Sequence, residues 1–298
     1  MNDYILSCCS TVDISEEKLN ALDIQCLAFQ YIIDGKGYVD DFGKSLSYEA
    51  FYDVMAKGAV TSTSQINVSE YIDYFEPFLK TGRDILHVTF SGGLTGTVNS
   101  ARNAAAILAE SYPERQIRIV DSLAASIGYG LLMVKAGELR RDGMGLEELA
   151  AWIEDNKLRV QHWFFSTTLK YYVRGGRISP AAGAVGGILD ICPMMTIDEF
   201  GRILVREKVR TKKKTAARMV QRMVENADNG TEYAGECYIC HSAARKDAED
   251  LAAKIVSEFP KLSGRIEISN LGAIIGSHAG PGTVAVVFWG KKRGGEEA

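Results

Sequence analysis

Apolar residues in the first half of the chain come as short runs separated by longer amphipathic stretches. The runs at 4–6, 24–27, 85–90 and 116–120 read as strands; the stretches at 48–57, 68–79, 98–110, 124–141 and 146–157 repeat their apolar positions at helical spacing. Strands alternating with helices predict a parallel sheet with helices on its faces. In such sheets ligands gather beyond the carboxyl ends of the strands, so the segments at 7–13, 91–97 and 121–126 matter most. All three are rich in small hydroxyl residues.

The texture changes after 157. A strand at 161–165 precedes a run of small and apolar residues at 181–195, whose glycines at 183, 186 and 187 suit close packing or a groove floor better than an isolated helix. A hairpin, 194–197 and 203–208, turns around Asp198, Glu199, Phe200 and Gly201. Helices at 215–226 and 245–259 then alternate with strands at 236–241, 265–268 and 283–289. The expected architecture is α/β in two domains. Residues 1–159 form a parallel doubly wound sheet, and 160–298 form a mixed sheet with helices.

A chain of 298 residues can bury two such cores. Its net charge of -4 gives no general attraction to nucleic acid or to an anionic membrane surface. No apolar stretch has the length a bilayer requires, and the N-terminus lacks the basic-then-apolar pattern of an export signal, so a cytoplasmic protein without integral membrane association is expected. In that compartment the six cysteines are not a disulfide framework, and the sequons at Asn67 and Asn229 are idle. Cys237 and Cys240 resemble a Cys-x-x-Cys pair followed by His241. On a buried strand, however, they would face opposite sides, which argues against a haem or redox motif.

Three features carry candidate chemistry. The strand-to-helix turn SGGLTGT at 91–97 brings unpaired N–H groups and hydroxyls to one spot, a site for an anion smaller than a nucleotide phosphate because neither glycine-rich nucleotide motif fits. The segment at 61–65, TSTSQ, holds more hydroxyls than helix capping needs. His278, between Ser277 and the glycines 276, 280 and 282, is expected on irregular backbone, free to face a ligand.

Taken in order, these segments resemble the DegV family of bacterial fatty-acid-binding proteins over nearly the whole length. The matching stretches are TSQ at 63–65, SGGLTGT at 91–97 with Ser100 and Ala101, Asp121 with Ser122, RGGRIS at 174–179, RTKK at 210–213 and IGSHAGPG at 275–282. The resemblance implies a long-chain fatty acid, such as palmitate, stearate or oleate, held between the two domains with its tail in the second. No cofactor or metal is implied. On the matching motifs the carboxylate falls to Thr63, Ser64, Thr95, Gly96, Ser122 and His278, and head-group or partner contacts fall to Arg177, Arg210 and His278. Phe164, Phe165, Gly183, Gly186, Ile188 and Ile191 are expected to line the acyl chain. The family resemblance also implies presentation of the acid to a fatty-acid kinase catalytic subunit, which makes an acyl phosphate for phospholipid synthesis. The basic cluster Arg206, Lys208, Arg210, Lys212, Lys213 and Lys214 is then a candidate partner surface.

Two positions depart from the family pattern. Cys9 stands where the motif after the first strand usually has aspartate, and Thr95 stands where serine is common. The competing reading is a hydrolase or acyl-transfer enzyme with Ser277, Thr95 or Ser10 as nucleophile and His278 as base. No Gly-x-Ser-x-Gly elbow supports it. Nucleic-acid binding through the basic cluster has the net acidity against it.

Overall fold

The computed structural model describes residues 4–183 and 190–294. In chain order the strands are β1 (Tyr4–Cys9), β2 (Ile24–Leu27), β3 (Gln30–Ile33), β4 (Lys36–Val39), β5 (Thr61–Ser64), β6 (Asp84–Thr89), β7 (Ile117–Asp121), β8 (Val160–Ser166), β9 (Ile191–Ile197), β10 (Ile203–Arg210), β11 (Cys237–His241), β12 (Ile266–Asn270) and β13 (Thr283–Trp289). The first sheet runs β2-β1-β6-β7 with every neighbour parallel. All six residues of β1 are buried, as expected of a central strand covered on both faces. Strand order reverses between β1 and β6, which opens a crevice beyond their carboxyl ends.

The large sheet runs β10-β9-β8-β13-β11-β12 and is mixed: β11 and β12 are parallel, and the other pairs antiparallel. Alternation along its strands sorts side chains between its two faces. Trp163, Phe165, Val284, Val286 and Phe288 pack outward with Met219 and Met223 of helix Lys212–Asn226 and with Leu251 and Ile255 of helix Arg245–Glu258. Phe164, Met195, Tyr238, Cys240 and Val287 face inward and join the core that continues into the first sheet. Cys237 and Cys240 do fall on opposite faces, and both are free thiols.

Two local readings are corrected. The hydroxyl-rich segment at 61–65, to which the sequence reading assigns no strand, contains one, β5, which adds to β3 and β4 in a small antiparallel sheet. Its signal was present: Asp34 and Gly35, at φ 48° and 85°, are the left-handed pair that a two-residue hairpin between β3 and β4 requires. The glycine-flanked stretch around His278 is a helix, Ala273–Ala279, not irregular backbone. It ends at Gly280, whose φ of 69° most other residues disfavour. Among the described residues no helix is long and apolar enough to cross a membrane.

Candidate functional site

A cavity of about 470 Å³ lies between the inner face of the large sheet and the carboxyl ends of the first. Its floor is set by strand periodicity: His162 and Phe164 on β8, and Thr283, Ala285 and Val287 on β13, are alternate residues that share one face. Phe29, Phe90, Ile127, Ile197, Ile203, Leu271 and Ile274 close the walls. The rim is polar, formed by Thr63, Ser64, Gln65, Thr95, Gly96, Arg177 and His278.

Each rim residue is positioned by its element. Antiparallel pairing of β5 with β3 sets Thr63 opposite Tyr31. Thr95 sits in the loop after β6, where its oxygen accepts from the Thr97 N–H at 3.3 Å and lies 3.0 Å from the Thr97 hydroxyl. When Thr97 donates both of these bonds, the Thr95 proton is left free. The loop itself is held by the β9–β10 hairpin: the Ser91 hydroxyl donates to the Gly201 carbonyl at 2.7 Å. Gly201 has φ 75°, and a Cβ there would collide with the Ser91 oxygen, so the contact requires glycine.

His278 is in the last turn of its helix, with Nε2 2.8 Å from the Thr63 oxygen. Burial, with the charges of Arg177 and Arg174 beside it, lowers its pKa to about 4, so the ring is neutral at neutral pH. With the proton on Nε2, the ring donates to Thr63 and turns the Thr63 proton toward the cavity. Nδ1 has no hydrogen-bond partner among the described residues.

Inside the cavity the polar side chains satisfy one another. The Tyr172 and Thr283 hydroxyls are 3.2 Å apart. His162 has Nδ1 at 3.1 Å from the Val160 carbonyl and accepts the Ala125 N–H on Nε2 at 3.4 Å. Ser126 donates to the Asp13 carboxyl. Desolvation pushes Asp13 up to about 8, with the Ser126 bond opposing it, so that carboxyl is largely protonated at pH 7. A hydrocarbon entering here strips no water from an unpaired interior donor.

Of the residues expected at the site, Thr63, Ser64, Thr95, Gly96, Arg177, His278 and Phe164 line the cavity. Others do not. Phe165 is one residue along β8 from Phe164, so its ring points to the opposite face and into the helices there. Ser122 is buried in its own turn, bonded to the N–H and carbonyl of Ala124. Gly183 ends a short helix against Val173, and Ile191 begins β9 away from the lining. Arg210, paired with Ile191, is exposed at the last position of β10 and lies outside the lining. Gly186 and Ile188 fall outside the described residues.

The anion nest of the 91–97 loop is also smaller than expected. The N–H groups of Gly92, Gly93, Leu94 and Thr95 are already bonded, to Asp121 or to Ser91, so these four add nothing to an anion site there. The sequence reading missed Gln65, Phe29, Ser126 and Tyr172 as lining residues, since only the approach of distant strands brings them together.

The structure also places the residues that bear on the other readings. Cys9 lies behind the site in a sealed polar cluster, its sulfur 3.5 Å from the Tyr71 hydroxyl and 3.7 Å from His87 Nε2, and burial pushes the thiol up to about 12. Ser277 is buried and bonds back to the Ala273 carbonyl at 2.9 Å. Ser10 accepts the Phe29 N–H. Burial first, and then the cationic Arg177 and Arg174 beside it, make His278 a weak base.

The family model described as an uncharacterised protein of the DegV family matches residues 9–291. A DegV domain-containing protein of Clostridium perfringens is 36% identical over 290 residues, 97% of this chain and 98% of its own. Two solved structures superpose over nearly the full length. One, of a DegV family protein from Thermus thermophilus described by its fatty acid binding, has a TM-score of 0.83 at 26% identity, covering 97% of this chain and 100% of its own. The other, a fatty acid binding DegV family protein from Streptococcus agalactiae, has a TM-score of 0.83 at 27% identity, covering 98% and 100%. A match that spans almost the entire chain, over a cavity built at the junction of two sheets, leaves one conclusion: this chain belongs to the DegV family.

Proposed function

We propose that the protein binds one long-chain fatty acid, without catalysis of its own. The observation that carries this reading is the division of the cavity, whose rim offers hydroxyl protons and Arg177 while its interior polar groups are paired among themselves. A carboxylate at the rim meets the Thr63 and Thr95 hydroxyls, with His278 orienting Thr63. The tail runs along Phe164, Ala285 and Val287. About 14 buried methylenes at roughly 0.8 kcal/mol each supply on the order of 11 kcal/mol before binding costs. The fatty-acid binding described for the two structural relatives supports the same reading.

Residues 1–159 would hold the head group and 160–298 the chain. The carrier would work in the cytoplasm, presenting palmitate, stearate or oleate to a fatty-acid kinase catalytic subunit for phosphorylation to an acyl phosphate. Exposed Arg210 and Lys213 belong to the surface such a subunit would meet.

Protein purified without added lipid is extracted with organic solvent, and the extract is identified by mass spectrometry. One fatty acid per chain is expected, depleted in Thr63→Ala/Thr95→Ala. A native protein that is empty and takes up neither palmitate nor oleate would overturn the proposal. For presentation, Lys212→Glu/Lys213→Glu should lower kinase-coupled turnover with lipid binding intact; unchanged turnover would remove that surface from the partner contact.

A further inference from the structure

A second cavity, of about 490 Å³, lies on the outer face of the large sheet, behind the acyl cavity. The two share strand β8: His162 and Phe164 look into one, Gln161 and Trp163 into the other. Nothing in the fatty-acid reading uses it.

Its lining has an excess of donors without acceptors. Arg206 enters it through a β-bulge: Val205 pairs with Met195 and Glu207 with Met194, so Arg206 is the extra residue between them. Bulges of this kind re-aim a side chain. Arg206, Lys291 and Lys292 carry no ion pair among the described residues. Trp163 is 6% exposed and forms part of the wall, yet its indole N–H has no acceptor among the described residues. Arg293 is 8% exposed; its terminal nitrogens donate to the carbonyls of Ile197, Asp198, Leu123 and Lys157, and its Nε is unpartnered.

The lining carboxylates do not answer this excess. Asp198 accepts from Arg202 and from the Phe200 N–H, and Glu225 is bonded to Arg218 and Arg222. Glu199 alone lies outside such a bond among the described residues, and its charge is set against Arg293. Arg222 is spent on Glu207 and Glu225, with its guanidinium 5.3 Å from the Trp163 ring centre. What complements three cations that are unpaired among the described residues is a compact anion with several acceptor oxygens.

We propose that this outer cavity binds a phosphate group through Arg206, Lys291 and Lys292. The phosphate belongs either to a soluble ester or to a lipid head group, and the chemistry recognised is the same. Calorimetric titration of the full chain with inorganic pyrophosphate tests the first source; flotation with vesicles of phosphatidic acid in phosphatidylcholine tests the second. Saturable binding to at least one probe is expected. Arg206→Gln/Lys292→Gln should weaken it at least about tenfold, because each variant removes a charge-assisted hydrogen bond. Palmitate uptake should match wild type in the double variant, which shows that the fold and the acyl cavity are intact. Binding to pyrophosphate identifies a soluble ester, and binding confined to the vesicles identifies a head group. Silence with both probes, or binding unchanged in the double variant, overturns the proposal.

Discussion

Phe164 and Phe165 are adjacent, both aromatic and both buried, at 8% and 1% exposure, yet the structure assigns them different consequences. Truncating either to alanine should cost stability by a similar amount, about 3–4 kcal/mol, through lost burial and a cavity. Only Phe164→Ala should change which acids bind, because only its ring lies on the acyl side of β8. Removing that ring, which lies 6.5 Å from the ring of Tyr172, opens space along the chain path. A two-carbon extension that fits the new space gains about 1.6 kcal/mol, roughly 15-fold in Kd. The assay is displacement of a fluorescent fatty acid by myristic, palmitic, stearic and arachidic acids, with circular dichroism confirming that each variant is folded. Phe164→Ala should move the preferred acid to a longer chain. Phe165→Ala should leave the ranking as in wild type. Ala285→Leu, which fills the same floor from β13, should move it shorter. An equal shift in Phe165→Ala, or no shift in either Phe164→Ala or Ala285→Leu, would refute the placement of the chain on this face.

Three further outcomes follow from the site. Thr95→Val should weaken oleate binding by about 1.5–3 kcal/mol in the same displacement assay, whereas Thr95→Ser, which keeps the hydroxyl, should bind within a few fold of wild type. Asp13 has its pKa raised from 3.8 to about 8, so its contribution to stability is complete below pH 3.8 and is lost as pH rises toward 8, at about 1.4 kcal/mol per unit. Urea melts should therefore show Asp13→Asn gaining on wild type across that window, and parallel curves would mean that the carboxyl ionises freely. Gly201→Ala should lower the melting temperature and weaken fatty-acid binding together, since the added methyl displaces Ser91 and the loop that carries Thr95; an unchanged melt would show that the hairpin contact is dispensable.

The sequence by itself determined most of the elements, because their signals are local: short continuous apolar runs for buried strands such as β13, a period of about 3.6 for helices such as Lys212–Asn226. It also contained two signals that went unread. Asp34 and Gly35 announce the hairpin that supports β5, and alternation along β8 already forbids Phe164 and Phe165 from lining one wall. The DegV motifs located Thr63, Thr95 and His278 without showing how they meet. Tertiary structure alone brings the Thr63 oxygen to 2.8 Å from His278, across more than two hundred residues, and sets Arg210 outside the cavity lining although its motif resembles a head-group contact. It also decides that the backbone donors of Gly92, Gly93, Leu94 and Thr95 are spent on Asp121 and Ser91. The physical reason is that a hydrogen bond or a cavity wall belongs to pairs of residues, and the distance between partners far apart in the chain is fixed only when the two sheets pack.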